Sequence, residues 1–180
     1  GGKRSGRGQR RTLDLCVVGN GPWHGGPEIS PRGKADLNRF VDFLNLTADR
    51  LAQEDMTIAY HNHWFEFEKV GGDVMLDYLI ANTDKRVRFI PDTYWMKYAG
   101  ASVEDYLERL AGRVDTLHLK DYKHKLFRAV GKGTLDFAAI LKKAKECGVR
   151  NAVVELDFSP RPFASMEYSM RTLEELKNAD

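Results

Sequence analysis

Residues 116–156 read TLHLKDYKHKLFRAVGKGTLDFAAILKKAKECGVRNAVVEL, and their organisation decides the fold. Thr116 to Lys120 is a short β-rich run, and a basic loop follows it, ending at Gly131-Lys132-Gly133. Asp136 to Cys147 has helical periodicity, Gly148 stands where a helix C-terminus favours glycine, and Ala152 to Leu156 is a second apolar β run. Strand, helix, strand in this order is a βαβ unit, which lays its two strands parallel in one sheet.

The same alternation extends outward from this unit. Towards the N-terminus, strands are expected at Leu13 to Val18, Met56 to His63 and Val87 to Asp92. The first is closed by Gly19-Asn20-Gly21-Pro22 and leads into a polar loop holding Trp23 and His24. A helix from Ala35 to Glu54 follows, with Leu37, Phe40, Val41, Leu44, Ala48 and Leu51 on one face. Further helices are expected at Val74 to Asn82, after the Gly71-Gly72 turn, and at Val103 to Leu110, reached through an aromatic loop and capped by Ser102. Ser165 to Lys177 closes the series, giving five βα units in all.

Composition sets the outer limits. With 180 residues, 42% hydrophobic and 30% charged, the chain suits one globular domain with its own core. It has no run of roughly 18 apolar residues, as a membrane span needs, and no apolar signal stretch at its start, so a cytoplasmic location is expected. Cys16 and Cys147 are too few and too far apart for a disulfide framework and read as buried apolar residues. The formal charge of +2 is uneven. Lys3, Arg4, Arg7, Arg10 and Arg11 form a basic arm at residues 1–12, and without them 23 basic residues face 26 acidic ones in residues 13–180. That acidic body offers no track for nucleic acid, and the arm, which begins Gly-Gly, reads as a flexible or non-native leader.

The chemistry lies at the strand ends. His61 and His63, Asp92, His118 and Glu155 stand at the C-terminal ends of the last four strands. From His61 the intervals are 31, 26 and 37 residues, against roughly 31 per unit in a (β/α)8 barrel of about 250 residues. Successive parallel strands of one barrel bring such groups to the same rim, where barrel enzymes do their chemistry. Imidazole and carboxylate together make a mixed N/O metal site suited to Zn²⁺, Mn²⁺, Co²⁺ or Fe²⁺, with Mg²⁺ a further candidate. Lys120 lies two residues beyond His118, on the same strand face, as a fixed cation for an oxyanion or as a salt-bridge partner of Asp92, Glu155 or Asp157. Trp64, Tyr94 and Trp95 cluster just after two of these strands, as flat rings for a ligand or as residues buried under a loop, and Gly131-Lys132-Gly133 is a turn before a helix or an anion cradle.

Taken in order, Tyr60-His61-Asn62-His63-Trp64-Phe65-Glu66-Phe67, Asp92-Thr93-Tyr94-Trp95, Leu117-His118-Leu119-Lys120-Asp121, Val130-Gly131-Lys132-Gly133 and Val154-Glu155-Leu156-Asp157 resemble the sugar phosphate isomerase/epimerase family, over about residues 35 to 178. That family belongs to the xylose isomerase-like TIM barrels. The resemblance implies an α/β fold, a TIM (β/α)8 barrel of which this chain supplies about the last five βα units. It also implies a divalent metal that binds a sugar or polyol hydroxy-carbonyl compound as substrate. Position by position, Asp92, His118 and Glu155 match three metal ligands. His61 matches the fourth, where many relatives carry glutamate, so His63 and Glu66 also remain candidates. The implied catalytic residues are Glu155, Lys120 and Glu66, and the implied substrate contacts are His63, Trp64, Trp95 and Lys120.

The expected activity is isomerisation, epimerisation or a related dehydration through proton abstraction beside a metal-bound carbonyl. Two other readings compete with it. A non-catalytic barrel fragment would assemble with itself or a partner, and an endonuclease IV-like nuclease would need more ligands and a basic track. Five units expose strand edges, so a homo-oligomer paired through the Leu13 to Val18 strand is expected, with no nucleic acid and no membrane among its partners.

Overall fold

The computed structural model describes residues 11–16, as backbone, and residues 31–179. The Gly19 to Pro22 turn, Trp23, His24 and most of the basic arm lie outside the described residues. The first strand, β1 (Arg11–Cys16), opens two residues earlier than the sequence pattern suggests. Helix α1 (Lys34–Gln53) follows and buries Leu37, Val41, Leu44 and Ala48, the apolar stripe expected of it. Strand β2 (Met56–His61) leads through a 3₁₀ turn at Phe65–Phe67 into a small hairpin, β3 (Lys69–Val70) and β4 (Asp73–Val74). After α2 (Met75–Asn82) come β5 (Arg88–Ile90), α3 (Thr93–Tyr98), α4 (Val103–Arg109) and β6 (Thr116–Leu119). A second hairpin, β7 (Asp121–Lys123) and β8 (Leu126–Arg128), precedes α5 (Phe137–Glu146), β9 (Asn151–Val154) and α6 (Pro162–Ala179).

Five of the strands form one parallel series in the order β1-β2-β5-β6-β9. Cys16 lies opposite His61, and His61 opposite Ile90. Single bridges, Phe89 to Val114 and Asp92 to His118, join β5 to the β6 segment, and Leu119 pairs with Val154. Each strand alternates between two faces. Ile58, Tyr60, Phe89, Leu117 and Leu119 point to the helices and join the main core. The alternate set, including His61, Ile90 and His118, therefore faces the other side. Because β strands have a period of two, a ligand at a strand end and a core residue beside it are compatible demands on one short segment.

Two loops expected from the sequence are ordered elements. The aromatic stretch after Asp92 forms α3, because the Asp92 carboxylate accepts a hydrogen bond from Trp95 N and caps the helix. The basic stretch after Lys120 forms the β7–β8 hairpin, whose two turn residues, His124 and Lys125, have positive φ angles of 52° and 61°. That is the backbone of a type I′ turn, which normally calls for Asn-Gly. Here tertiary contacts support it: Tyr94 Oη donates to Lys125 O at 2.8 Å, and Tyr94 packs on Tyr122 and Phe127. Strand β5 stops at Ile90 because Pro91 has no N–H to donate to a ladder. Proline at the first position of α6 starts that helix three residues before the apolar pattern does.

Cys147 is half-buried at the end of α5 rather than fully buried, and the Cys16 side chain lies outside the described residues. Among the described residues, β9 pairs only with β6. Asn151, Ala152 and Val153 are exposed, as are Phe158, Phe163 and Met170 beyond it.

Candidate metal centre

Four side chains from four consecutive parallel segments converge at the C-terminal ends of the strands. One ligand atom from each of His61, Asp92, His118 and Glu155 lies within 4.8 Å of the others. The backbone fixes this meeting. Asn62 Oδ1 accepts from Asp92 N at 3.2 Å, His118 N donates to Pro91 O at 2.9 Å, and Glu155 N donates to Leu119 O at 3.1 Å. Asp92 has two tasks: its Oδ1 caps α3, which leaves Oδ2 turned to the cluster.

The donors fit a divalent cation. His61 Nε2 and Asp92 Oδ2 are buried 3.4 Å apart, and neither makes a hydrogen bond of good geometry. Buried polar atoms are rarely left so, and a shared cation would satisfy both. His118 Nδ1 donates to Glu155 Oε2 at 2.7 Å, holding the other two candidates together. Lys120 Nζ is buried beside them, 3.2 Å from Asp92 Oδ2, 3.2 Å from Glu155 Oε1 and 2.9 Å from Asp157 Oδ2. With its ammonium charged and the carboxylates ionised, three negative charges against one positive leave the cluster two charges negative, the amount a divalent ion balances.

The electrostatics follow from these contacts. Burial alone would pull Lys120 down, but the carboxylates of Asp92, Glu155 and Asp157 outweigh it and hold the ammonium above the ordinary lysine range. Burial pushes Glu155 up, yet the His118 hydrogen bond and the Lys120 charge win and keep it below the usual carboxylate range. Asp157 moves the other way: burial and the nearby Glu155 outweigh Lys120 and raise it. Lys120 is further pinned through its backbone, whose N–H donates to Thr93 Oγ1 at 2.9 Å while that hydroxyl donates to Lys120 O at 2.8 Å. The salt-bridge reading of Lys120 describes this placement, since it pairs with all three carboxylates.

The remaining expected residues divide. The His63 ring stacks 5.0 Å from His61 and lies 5.5 Å from Trp95. Burial, reinforced by the neighbouring His61, pushes its pKa down to about 4, so it is neutral at physiological pH. Trp95 lies 5.4 Å from Lys120 Nζ, and its buried indole N–H has no partner among the described residues. Trp64 instead packs on Phe65 and Tyr98. Glu66 is fully buried and does not join the converging atoms: its carboxylate accepts from Tyr60 Oη at 2.6 Å and from His63 N at 2.8 Å. Tyr60 belongs to the helix-facing core, so Glu66 sits behind β2 rather than in front of it.

Burial raises Glu66 from 4.5 to about 7, against the lowering effect of its hydrogen bonds. Between these two values the folded state holds a proton that the unfolded state releases. Stability therefore falls as pH rises through this window, by about 3 kcal/mol when complete. Glu66→Gln, which keeps the acceptor for His63 N, is expected to remove this slope, and thermal unfolding at pH 5 and pH 8 measures it. An unchanged slope would assign the pH dependence to other groups.

Asp121 is a residue whose role the sequence reading did not identify. It is fully buried and accepts four backbone hydrogen bonds, from Tyr122, Gly131, Gly133 and Leu135. A Cβ at Gly133 would lie 2.1 Å from Asp121 Oδ1, so this close approach requires glycine. The signal was present in the sequence as an aspartate directly after Lys120 with Gly-x-Gly ten residues on.

Comparison with known proteins agrees with this architecture. A family model described as a xylose isomerase-like TIM barrel matches residues 10–177. The chain is similar to inosose dehydratase from Geobacillus kaustophilus, with 28% identity over 137 residues, covering 71% of this chain and 44% of that protein. Among solved structures it resembles a sugar phosphate isomerase/epimerase from Parabacteroides distasonis, with 26% identity and a TM-score of 0.72, covering 80% of this chain and 55% of that one. It also shares its fold with the IolI protein solved with a bound zinc atom, at 14% identity and a TM-score of 0.64, covering 92% of this chain and 62% of that one. The chain spans about half the length of the inosose dehydratases it matches. Among the described residues no helix is long and apolar enough to cross a membrane.

Proposed function

The chain belongs to the xylose isomerase-like TIM barrel family, and from that premise we propose that it forms the metal-binding part of an isomerase, epimerase or related dehydratase acting on a sugar or polyol hydroxy-carbonyl compound. The observation that carries this reading is the convergence of His61, Asp92, His118 and Glu155, where the buried His61 Nε2 and Asp92 Oδ2 make no hydrogen bond of good geometry. A divalent cation held by these four residues would polarise a substrate carbonyl and acidify the C–H beside it.

The protein's own groups supply the rest. Glu155 reaches the cluster from the last strand and takes the proton. Lys120 stays charged throughout, so it acts as a fixed cation for the developing oxyanion rather than as a base. Neutral His63 and the unpartnered Trp95 N–H offer hydrogen bonds to substrate hydroxyls without adding charge. Trp95, Tyr94 and Phe127 pack on one another, with Trp95 and Phe127 beside the Lys120 ammonium.

Solvent exchange tests the reading directly. Incubation with Mn²⁺ or Zn²⁺ in D₂O, on a panel of ketohexoses and inososes, is expected to place deuterium next to the carbonyl of at least one compound. A chelator should abolish the exchange. Exchange that proceeds equally with and without metal, or that occurs with no compound of the panel, would refute the proposal.

A further inference from the structure

Two buried side chains, Asn62 and Thr93, lie between the strands that carry the metal quartet, at the points where the backbone ladder stops. The ladder between β2 and β5 ends at His61 and Ile90, and Pro91 has no N–H to extend it. The next donor, Asp92 N, meets a side chain instead. Asn62 Oδ1 accepts from it at 3.2 Å, while Asn62 Nδ2 donates to His63 O at 3.2 Å. Between β5 and β6 the ladder is lost one residue later. Thr93 is the first residue of α3, so its carbonyl points along that helix and away from the sheet. Its hydroxyl takes over, accepting from Lys120 N at 2.9 Å and donating to Lys120 O at 2.8 Å. One hydroxyl thus makes two bonds across the gap, one accepted and one donated, as the backbone of a ladder residue does. Between β6 and β9 no substitute is needed, because Leu119 pairs with Val154 and Glu155 N donates to Leu119 O at 3.1 Å.

These bonds connect the segments that bear the ligands. Asn62 directly follows His61 and ties its strand to Asp92, whereas Thr93 directly follows Asp92 and ties it to the β6 segment that carries His118 and Lys120. We propose that Asn62 and Thr93 are positioning residues of the metal centre, whose side-chain bonds replace the missing ladder and set the spacing of His61, Asp92 and His118. Neither residue belongs to the converging quartet. Metal–ligand distances tolerate deviations of only about 0.2 Å, so a small slip of one strand end past the next weakens binding. Threonine suits the second position because its hydroxyl both donates and accepts, and a valine of the same shape does neither. The inference rests on the proposed function only in taking a divalent metal as the ligand, and the spacing of the two imidazoles has a test of its own.

Zinc titration and thermal unfolding of Thr93→Val, Thr93→Ser, Asn62→Ala and Ser169→Ala separate positioning from general stability. Ser169 is the control. It is buried, and its hydroxyl accepts from Val130 N at 3.0 Å and donates to Ser165 O at 2.9 Å, the same two kinds of bond that Thr93 makes, but on α6 and outside the quartet. Thr93→Val and Asn62→Ala are each expected to weaken zinc binding about tenfold or more. Thr93→Ser should restore most of the affinity, and Ser169→Ala should lower the unfolding temperature with no loss of affinity. Wild-type affinity in Thr93→Val, or an equal loss in Ser169→Ala, would overturn the proposal. Thr93→Val keeps the shape of the side chain, so the comparison stands on it where Asn62→Ala fails to fold. The NMR signals of the His61 and His118 rings in metal-free protein give a second readout. They are expected to shift in Thr93→Val and to stay in place in Ser169→Ala. Shifted ring signals in a protein whose wild type binds no zinc remove the metal-dependent reading and leave the positioning role standing, whereas ring signals that do not move in Thr93→Val overturn the positioning role alone.

Discussion

Glu155→Gln is expected to lower divalent-metal affinity by about 100-fold and proton-exchange activity by about 10³-fold. The substitution keeps the size of the side chain and an acceptor for His118 Nδ1, so the local hydrogen bond survives. It removes one of the three negative charges that surround Lys120, leaving the cluster one charge short of balancing a divalent ion. It also removes the group assigned to take the proton. Glu155 pairs with the buried Lys120 ammonium and with His118, so some loss of unfolding temperature is expected as well, and the losses of affinity and activity are read on protein shown to be folded. Isothermal titration with Zn²⁺ or Mn²⁺ and the D₂O exchange assay measure the two effects separately. Full metal affinity with lost exchange would make Glu155 a base without a ligand role, and full activity would transfer the base role to another carboxylate, with Asp157 nearest to Lys120.

Asp121→Ala is expected to destabilise the fold by about 3–5 kcal/mol, because four backbone N–H groups lose one shared acceptor in a buried setting. For a chain of this size the melting temperature should fall by roughly 10 °C. The anchor joins the start of β7 to the turn that bears Lys132, so its loss should also loosen the wall next to Lys120. Asp121→Asn keeps acceptor capacity on one side only and should give an intermediate loss. Gly133→Ala attacks the same contact from the other partner, since its methyl group would meet the carboxylate itself. Thermal denaturation followed by circular dichroism checks all three, and a wild-type melting temperature for Asp121→Ala would show that water replaces the anchor at little cost.

The parts of this architecture that the sequence displayed are those governed by simple periods. Helix α1 announced itself through Leu37, Val41, Leu44 and Ala48 at helical spacing, and the strands through short apolar runs. The quartet at the strand ends was legible because parallel strands deliver their C-terminal ends to one rim, so evenly spaced His, Asp, His and Glu imply proximity. What could not be read depends on contacts between distant segments. The type I′ turn at His124 and Lys125 lacks the residues that usually specify it and rests on Tyr94, which lies far away in sequence. Glu66 looked like a spare carboxylate for the site, but the 3₁₀ turn after His63 carries it to the Tyr60 hydroxyl on the other face of β2. Asp92 gave no sign in the sequence that one of its oxygens would cap a helix, although that division of labour sets the direction of the other.

The central claim is that His61, Asp92, His118 and Glu155 together hold one divalent ion. X-ray absorption spectroscopy of the purified chain loaded with Zn²⁺ tests it most directly, combined with metal quantification. The account predicts one ion per chain with two imidazole nitrogens and carboxylate oxygens in its first coordination sphere, and His118→Ala should reduce the imidazole count by one. Substoichiometric binding, or a coordination sphere without imidazole, would contradict it.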